Sequence, residues 1–183
     1  GQYLAIGKAD TSVVIQNLNN GTFLPRFIHH ATPIFSVVFH PSKPLLLTGD
    51  AEGIVKIWNY KTHRLFFQFK PHVRYILDLA FNASGDELIT SSWDGFVNHW
   101  KFDISKTQKT KLIDRIDLKN NSGFSVGFSP RDLYLAVGDV QKNMLLYEAD
   151  TKTNIDKFKG HSRTISDFCF FKVNNQQRLA TVS

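Results

Sequence analysis

The stretch SSWDGFVNHW, residues 91–100, decides the fold. It combines a tight Trp-Asp-Gly turn with a short run rich in aromatic and β-branched residues, a pattern typical of a turn entering a β-strand. Gly95 lies five residues before Trp100, and Gly53 lies five residues before Trp58 in the similar segment GIVKIW. Two copies of one turn-and-strand unit are therefore present.

The same unit recurs along the chain at a nearly fixed step. Trp58 lies 42 residues before Trp100, and Gln16 in VVIQN holds the same place 42 residues before Trp58. A further copy, MLLYE, places Tyr147 at this position 47 residues after Trp100. A period of roughly 40–45 residues is typical of repeats built from four short strands.

Within a repeat, short apolar runs alternate with small polar turns, and no long helical period appears. The third unit gives the order most clearly: ILDLAF at 76–81, ELITSS at 87–92, FVNHW at 96–100 and LIDRIDL at 112–118. We expect an all-β fold, a β-propeller made of four-stranded antiparallel blades. The extra length of this unit falls in the lysine-rich segment that follows Trp100, which we expect to be a surface loop.

The units predict one propeller region over residues 1–183, with three complete blades between two partial ones. A propeller closes its ring with at least four blades, so we expect this region to be part of a larger propeller. The predicted boundaries are a partial blade at 1–29, blades at 30–71, 72–118 and 119–160, and a partial blade at 161–183.

Composition is that of an ordinary soluble globular protein, with 42% hydrophobic and 21% charged residues. No run of apolar residues is long enough for a membrane span, so we expect no membrane insertion. A single cysteine, Cys169, excludes an intramolecular disulfide and suits a cytoplasmic or nuclear location. Because Cys169 lies between two phenylalanines in an expected inner strand, we expect it to be a small buried apolar side chain.

The chain carries a net charge of +6, with a sequence pI near 9.4. Such a balance is compatible with an acidic partner, and nucleic acid is one possibility. The basic residues are nevertheless spread over loops and strand ends, and acidic residues interrupt their densest run. Direct nucleic-acid binding is therefore not the favoured interpretation.

Three dipeptides ending in histidine carry a resemblance to a known family. Positions 29–30, 71–72 and 160–161 read His-His, Pro-His and Gly-His. In each dipeptide the histidine at the second position lies nine residues before a phenylalanine. Together with the Gly-to-Trp spacing, this order resembles the WD-repeat (β-transducin repeat) family over essentially the whole chain. The resemblance implies the propeller fold described above.

The resemblance also implies a hydrogen-bonded structural set in each blade, made of a histidine, a hydroxyl residue, an aspartate and a tryptophan. In the third unit these are His72, Thr90 (or Ser92), Asp94 and Trp100.

The other units depart from this pattern to different degrees. The second unit has His30, Thr48 and Trp58, with Glu52 in place of the aspartate, and the last unit offers His161. The fourth unit departs furthest: Lys119, Val137 and Tyr147 stand at the positions of the histidine, the hydroxyl residue and the tryptophan. We therefore expect this unit to rely on packing alone.

A histidine, a hydroxyl and an aspartate also invite comparison with a hydrolase triad. The set recurs at one place in successive units, which a nucleophilic triad would not do, and no G-x-S-x-G elbow is present. Histidines and the one cysteine lack metal-site spacing, and no phosphate-binding or dinucleotide motif occurs. We expect no catalytic residues, no metal, no cofactor and no small-molecule substrate.

Function is expected on the loops at one end of the blades, where a rigid scaffold presents variable residues. Trp93 at its turn tip, beside Arg74 and Tyr75, forms an aromatic-plus-arginine group of the kind enriched in binding hot spots. Packing of Trp93 on a neighbouring blade is the equally weighted alternative. Arg163 and Pro33 occupy related loop positions in other units.

The resulting hypothesis is a non-catalytic scaffold that assembles a multiprotein complex through these loops, with other proteins as partners. One alternative is a subunit of a ribonucleoprotein or chromatin complex that contacts phosphates through a basic face. Another is a cytoskeletal or vesicle-coat propeller, because proteins of both kinds share this repeat.

Overall fold

The computed structural model describes residues 2–27, 29–105, 110–119, 121–174 and 176–183. In these ranges the chain is all-β and forms five antiparallel sheets, named first to fifth in chain order. The lysine-rich loop expected after Trp100 falls partly on 106–109, outside the described residues.

Three of the sheets have four strands, each strand pairing with the next in sequence. The second sheet contains β3 (Ile34–Phe39), β4 (Leu45–Asp50), β5 (Val55–Asn59) and β6 (Arg64–Phe69). The third contains β7 (Ile76–Phe81), β8 (Glu87–Ser92), β9 (Phe96–Phe102) and β10 (Thr110–Asp117). The fourth contains β11 (Gly123–Phe128), β12 (Tyr134–Asp139), β13 (Asn143–Glu148) and β14 (Asn154–Lys159).

Two sheets at the ends of the chain have two strands each. The first contains β1 (Tyr3–Gly7) and β2 (Val13–Asn17), and the fifth contains β15 (Asp167–Val173) and β16 (Gln176–Val182). The expected all-β fold of four-stranded antiparallel sheets is confirmed.

The apolar core of the described residues is divided into four clusters, one between each pair of consecutive sheets. The second strands of the three four-stranded sheets are buried almost throughout; β4, for example, is buried along its whole length. Because neither face meets water, apolar residues in these strands follow one another, as in Leu45–Leu46–Leu47, and do not alternate with polar ones. Each fully buried leucine or isoleucine contributes about 1.5–3 kcal/mol to folding, so stacking of sheets is the main source of stability.

The first strands of successive sheets lie side by side, and one carboxylate links three of them. Asp78 on β7 accepts hydrogen bonds from the Val126 backbone N–H on β11 at 2.9 Å and from the Ser36 hydroxyl on β3 at 3.3 Å. Its neighbour Leu79 donates a third, at 2.8 Å. Burial is the largest influence and raises the pKa of Asp78 to about 6, although these hydrogen bonds oppose it.

Register shifts recur at matching places in the three four-stranded sheets. An extra residue lies near the start of each first strand, and in β3 this residue is Phe35. A second extra residue lies in each outer strand: Phe66 in β6, Ile113 in β10 and Ile155 in β14. Extra residues of this kind are β-bulges, which bend a strand and turn a side chain away from the regular alternation.

Candidate functional site

The third sheet contains a closed network around His72. The His72 Nδ1 atom lies 3.0 Å from Asp94 Oδ2, and the His72 Nε2 atom lies 2.8 Å from the Thr90 hydroxyl. The Trp100 indole N–H donates to the same hydroxyl oxygen at 3.1 Å. Since that oxygen accepts from Trp100, the Thr90 hydroxyl proton is available to Nε2, and Nδ1–H donates to the carboxylate.

Of the two hydroxyl residues left open by the sequence, Thr90 is the one in this network. Ser92 instead accepts a hydrogen bond from the Asp94 backbone N–H at 3.0 Å, within the turn. The structure therefore brings together His72, Thr90, Asp94 and Trp100.

The second sheet has the same network, but its acid comes from a different position. His30 Nδ1 lies 2.8 Å from Asp50 Oδ2, and His30 Nε2 lies 2.6 Å from the Thr48 hydroxyl, which also accepts from the Trp58 indole at 2.9 Å. The expectation that Glu52 takes the place of the aspartate is wrong. Asp50 lies at the end of β4, where its carboxylate reaches the histidine directly.

Hydrogen bonding lowers the pKa of Asp50. Burial raises the pKa of this carboxyl, but hydrogen bonds from His30 and from the backbone N–H groups of Ile54 and Glu52 outweigh burial. The pKa of Asp50 is therefore lower than its ordinary value. The carboxylate also anchors the turn that leads into β5.

The fourth sheet does not rely on packing alone, which corrects the sequence-based expectation. Asp139, at the end of β12, accepts from the Asn121 side-chain amide at 2.6 Å and from the Asn143 side-chain amide at 2.7 Å. Amides thus replace the imidazole as donors. Lys119, at the histidine position, is exposed instead.

In the fifth sheet His161 Nε2 lies 2.6 Å from the Thr181 hydroxyl on β16, the pairing that His72 and His30 make with their own threonines. These networks fix turns and strand ends. The Thr90 hydroxyl in the third sheet is fully buried, with 0% of the residue exposed, so it has no access to a substrate.

The predicted loop residues of the third sheet lie together at one end of it. The Trp93 backbone N–H donates to the Tyr75 carbonyl oxygen at 3.1 Å, and the Ser92 hydroxyl donates to the Arg74 carbonyl oxygen at 3.4 Å. Trp93 is 45% exposed and Tyr75 47% exposed, and Arg74 is also exposed. Backbone hydrogen bonds therefore hold two half-exposed aromatic rings and one guanidinium at the surface.

Phe35 joins this group, and sequence reasoning missed it. Its ring stacks on Tyr75 with centroids 5.3 Å apart and planes at 11°, and it is 51% exposed. As the bulge residue of β3, it leaves the alternation expected for a first strand. In the sequence Phe35 stands between Ile34 and Ser36 in the run IFSVVF, which carries no signal that distinguishes it from a regular strand residue. The four residues Phe35, Arg74, Tyr75 and Trp93 are named the loop-end surface below.

Pro33 and Arg163 occupy matching positions in the neighbouring repeats. The Pro33 carbonyl oxygen accepts from the Ala51 backbone N–H at 3.1 Å, as the Tyr75 carbonyl does from Trp93. Arg163 follows His161 by two residues, as Arg74 follows His72. Both Pro33 and Arg163 are exposed.

Neither the cysteine nor a metal-ligand cluster provides a site in the described part of the chain. Cys169 is exposed, so the expectation of a buried side chain is wrong: it lies on the open face of the two-stranded fifth sheet. The described ranges hold no group of three or more His, Cys, Asp or Glu side chains suited to a metal ion. Nor do they contain a helix able to cross a membrane.

Repeated four-stranded antiparallel blades with histidine–hydroxyl–aspartate networks define a repeat protein of the β-propeller class. A family model described as "WD domain, G-beta repeat" matches residues 21–59 and 64–101, and each match ends one residue after a network tryptophan. These two matches support a WD-repeat family for this chain. Proteins of this family generally mediate protein–protein interaction and complex assembly, and are typically non-catalytic. A search of curated proteins found no match.

Proposed function

We propose that this protein is a non-catalytic scaffold that holds protein partners on its loop-end surface and so assembles a multiprotein complex. The blades at 30–71, 72–118 and 119–160, with partial blades at 1–29 and 161–183, form the rigid support. Its partners are other proteins, and it needs no cofactor. A cytoplasmic or nuclear location suits a chain whose one cysteine is exposed and unpaired.

The stacking of Phe35 on Tyr75, next to Trp93, is the observation that supports this proposal best. Large aromatic side chains are usually buried for the most part in a folded protein. Phe35, Tyr75 and Trp93 instead remain about half exposed to solvent. Tyrosine, tryptophan and arginine are also the residues most enriched in binding hot spots. An aromatic cluster beside Arg74 therefore has the composition of a partner anchor.

The supporting backbone reduces the cost of binding. Trp93 and Tyr75 are joined by a backbone hydrogen bond, and the turn that carries Trp93 is tied to His72 through Asp94. A partner would meet side chains whose backbone is already ordered, so less conformational entropy is lost on association. Rigid presentation, rather than large area, is the proposed source of affinity.

Removal of the aromatic anchor tests the proposal. Trp93→Ala and Tyr75→Ala should each reduce recovery of co-purifying proteins from cell extract, with circular dichroism and thermal unfolding close to wild type. Phe23→Ala is the matched control, because Phe23 is 63% exposed but is not part of the loop-end surface. Equal recovery by all three folded variants would contradict the proposal.

Salt dependence separates this proposal from the ribonucleoprotein or chromatin alternative. An apolar aromatic anchor predicts partner recovery that changes little between low and moderate salt. Phosphate contacts release counterions, so binding through a basic face would fall steeply over the same range. A steep salt dependence that survives Trp93→Ala would favour the nucleic-acid alternative.

A further inference from the structure

A cleft of about 600 Å³ lies between the third and fourth sheets, away from the loop-end surface. One wall is the outer strand β10, from Arg115 to Asp117, and the other is formed by β13 and β14. The volume is within the range of sites that bind small ligands.

The cleft lies where the fourth sheet departs from the repeat. In the second and third sheets a histidine and a tryptophan fill this place and bond to a threonine. In the fourth sheet the corresponding residues are Lys119 and Tyr147, and both line the cleft together with Asp139 and Asn121. Tyr147 is smaller than tryptophan, and Lys119 is exposed rather than folded inward. The cleft is therefore lined by the two residues that replace the bonded histidine and tryptophan of the other sheets.

Four cationic side chains line this space: Arg115, Lys119, Lys152 and Lys157. Among the described residues none of the four forms a salt bridge with a carboxylate. The two acidic residues in the lining are already engaged. Asp139 accepts from two asparagine amides, and Asp117 accepts from the Lys119 backbone N–H at 2.8 Å. The lining side chains carry four positive and two negative charges, and the carboxylates of Asp114, Glu87 and Asp150 act on Lys152 from nearby.

One of the cations, Arg115, is held in place, and another, Lys152, is partly buried. The Arg115 Nε–H donates to Asn98 at 2.8 Å, and the guanidinium carbon lies 4.8 Å from the centre of the Phe96 ring. This contact uses Nε and not the two terminal amino groups, which can donate to another acceptor. Lys152 is partly buried, and burial lowers its pKa, although nearby Asp114 and Glu87 oppose this. An anion next to Lys152 would stabilise its charged form.

The apolar side chains of the lining do not offer a surface for a peptide or a nucleobase. Ile116, Leu118, Leu145 and Tyr147 are each at most 8% exposed. Recognition of single-stranded RNA uses exposed aromatic rings on which bases stack, and the only ring in this lining is buried. What the cleft presents to solvent is mainly cationic. A compact anion with several charges fits such a site best.

We infer that this cleft binds a small, multiply phosphorylated anion, such as a polyol phosphate, through Arg115, Lys119, Lys152 and Lys157. Phosphate groups accept several charge-assisted hydrogen bonds at once, and arginine can bind them with two parallel N–H donors. The anion could be free in solution or form the headgroup of a lipid. This inference does not depend on partner binding at the loop-end surface.

Isothermal titration calorimetry with myo-inositol hexakisphosphate tests the site in solution. Sedimentation with phosphatidylcholine vesicles, with and without phosphatidylinositol 4,5-bisphosphate, tests the lipid headgroup. The double variant Lys119→Gln/Lys157→Gln should weaken binding by about tenfold or more, since each lysine removed is a charge-assisted donor. The double variant Lys43→Gln/Lys61→Gln makes the same change in net charge outside the cleft, and should weaken binding less than about threefold.

The outcomes are distinguishable. Loss confined to the cleft variant with the soluble probe supports a free anion, and loss seen only with phosphoinositide vesicles supports a lipid headgroup. Equal effects of the two double variants, or no binding of either probe, would overturn the inference. An oligoribonucleotide bound more tightly than both probes, and lost in the cleft variant, would also overturn it in favour of RNA. Circular dichroism of both variants verifies that they are folded.

Discussion

His30 donates from Nδ1 to the carboxylate of Asp50 at 2.8 Å, and both side chains are almost fully buried. In the next sheet the equivalent histidine bonds to an acid two positions further along, within the turn itself. The same hydrogen bond is therefore made from two different sites in the repeat. What the fold requires is an acceptor for the imidazole N–H, and more than one backbone position can supply it.

Asp50→Ala should destabilise the protein much more than Glu52→Gln. The first change leaves a buried imidazole N–H and two backbone N–H groups without their acceptor, which costs about 2–4 kcal/mol of unfolding free energy. The second alters an exposed side chain and should stay within about 0.5 kcal/mol. Urea unfolding followed by circular dichroism measures both. Equal effects of the two changes would show that Asp50 does not serve the histidine.

Thr90→Val should lower the unfolding free energy by about 2–3 kcal/mol. Valine has nearly the shape of threonine but cannot bond to His72 Nε2 or accept from the Trp100 indole, so two buried polar atoms lose their partner. Thr62→Val, at an exposed position, is the matched control and should have little effect. A near-neutral Thr90→Val would mean that packing, and not the hydroxyl, holds the third sheet together.

Gly53→Ala should be among the most damaging single-methyl additions in the chain. Gly53 has φ of +80°, and a Cβ there would lie 2.8 Å from the Arg74 carbonyl oxygen and against the His72 backbone. Gly21 has a similar φ of +72°, but nothing lies within 4 Å of its Cβ position.

Gly21→Ala therefore costs only the strain of a left-handed residue, about 1 kcal/mol. Gly53→Ala should cost at least twice as much, because the turn must also move away from the next sheet. Melting temperatures of the two variants measure the difference. If they coincide, the turn is free to shift and the two sheets are not in firm contact there.

Asp78→Asn should remove a pH dependence of stability between about pH 4 and pH 6. The pKa of Asp78 rises from 3.8 to about 6 on folding, so over this window the folded state holds a proton that the unfolded state has lost. Stability contributed by this group is complete below about pH 4 and is lost as pH rises through about 6. Asp50 and Asp94 act with the opposite sign, since their pKa values are lowered and their contributions disappear as pH falls.

The difference in unfolding free energy between wild type and Asp78→Asn, measured at several pH values, isolates the group. We expect wild type to lose of the order of 1–3 kcal/mol relative to the variant between pH 4 and pH 7. Asparagine keeps an oxygen to accept from the Val126 N–H, so the link between first strands survives in the variant. A constant difference across this range would contradict the raised pKa.

The fold could be predicted from the sequence because the length of four short strands and their turns determines the spacing of the repeat. The separation of Trp58 and Trp100 equals the number of residues in one blade. Glycines five residues before these tryptophans mark the start of the third strand of the blade. Short runs of apolar residues between polar turns then indicated the strands, since each strand must bury the faces that meet neighbouring sheets. Such regularities are local, and one sequence is enough to see them.

Contacts between residues that are distant in the sequence were not predictable in the same way. Asp50 was passed over because it follows the expected strand LLLTG, and its ability to reach His30 depends on how the two segments meet in space. Phe35 was assigned to a regular strand, and only the register shift shows that it is a bulge residue. The fourth sheet lacks the histidine network, and Asp139 there accepts hydrogen bonds from side-chain amides, such as that of Asn121. In each case the prediction failed because it depended on a spatial neighbour that cannot be inferred from the spacing of residues in the sequence.

The irregularity in the outer strands has a consequence for the behaviour of the protein at high concentration. Strands β6, β10 and β14 each contain an extra residue partway along their length, which bends the backbone there. A bent border offers too few consecutive N–H and C=O groups in line to recruit a strand from a second molecule. These three borders thus disfavour the edge-to-edge association that leads β-rich proteins to form fibres.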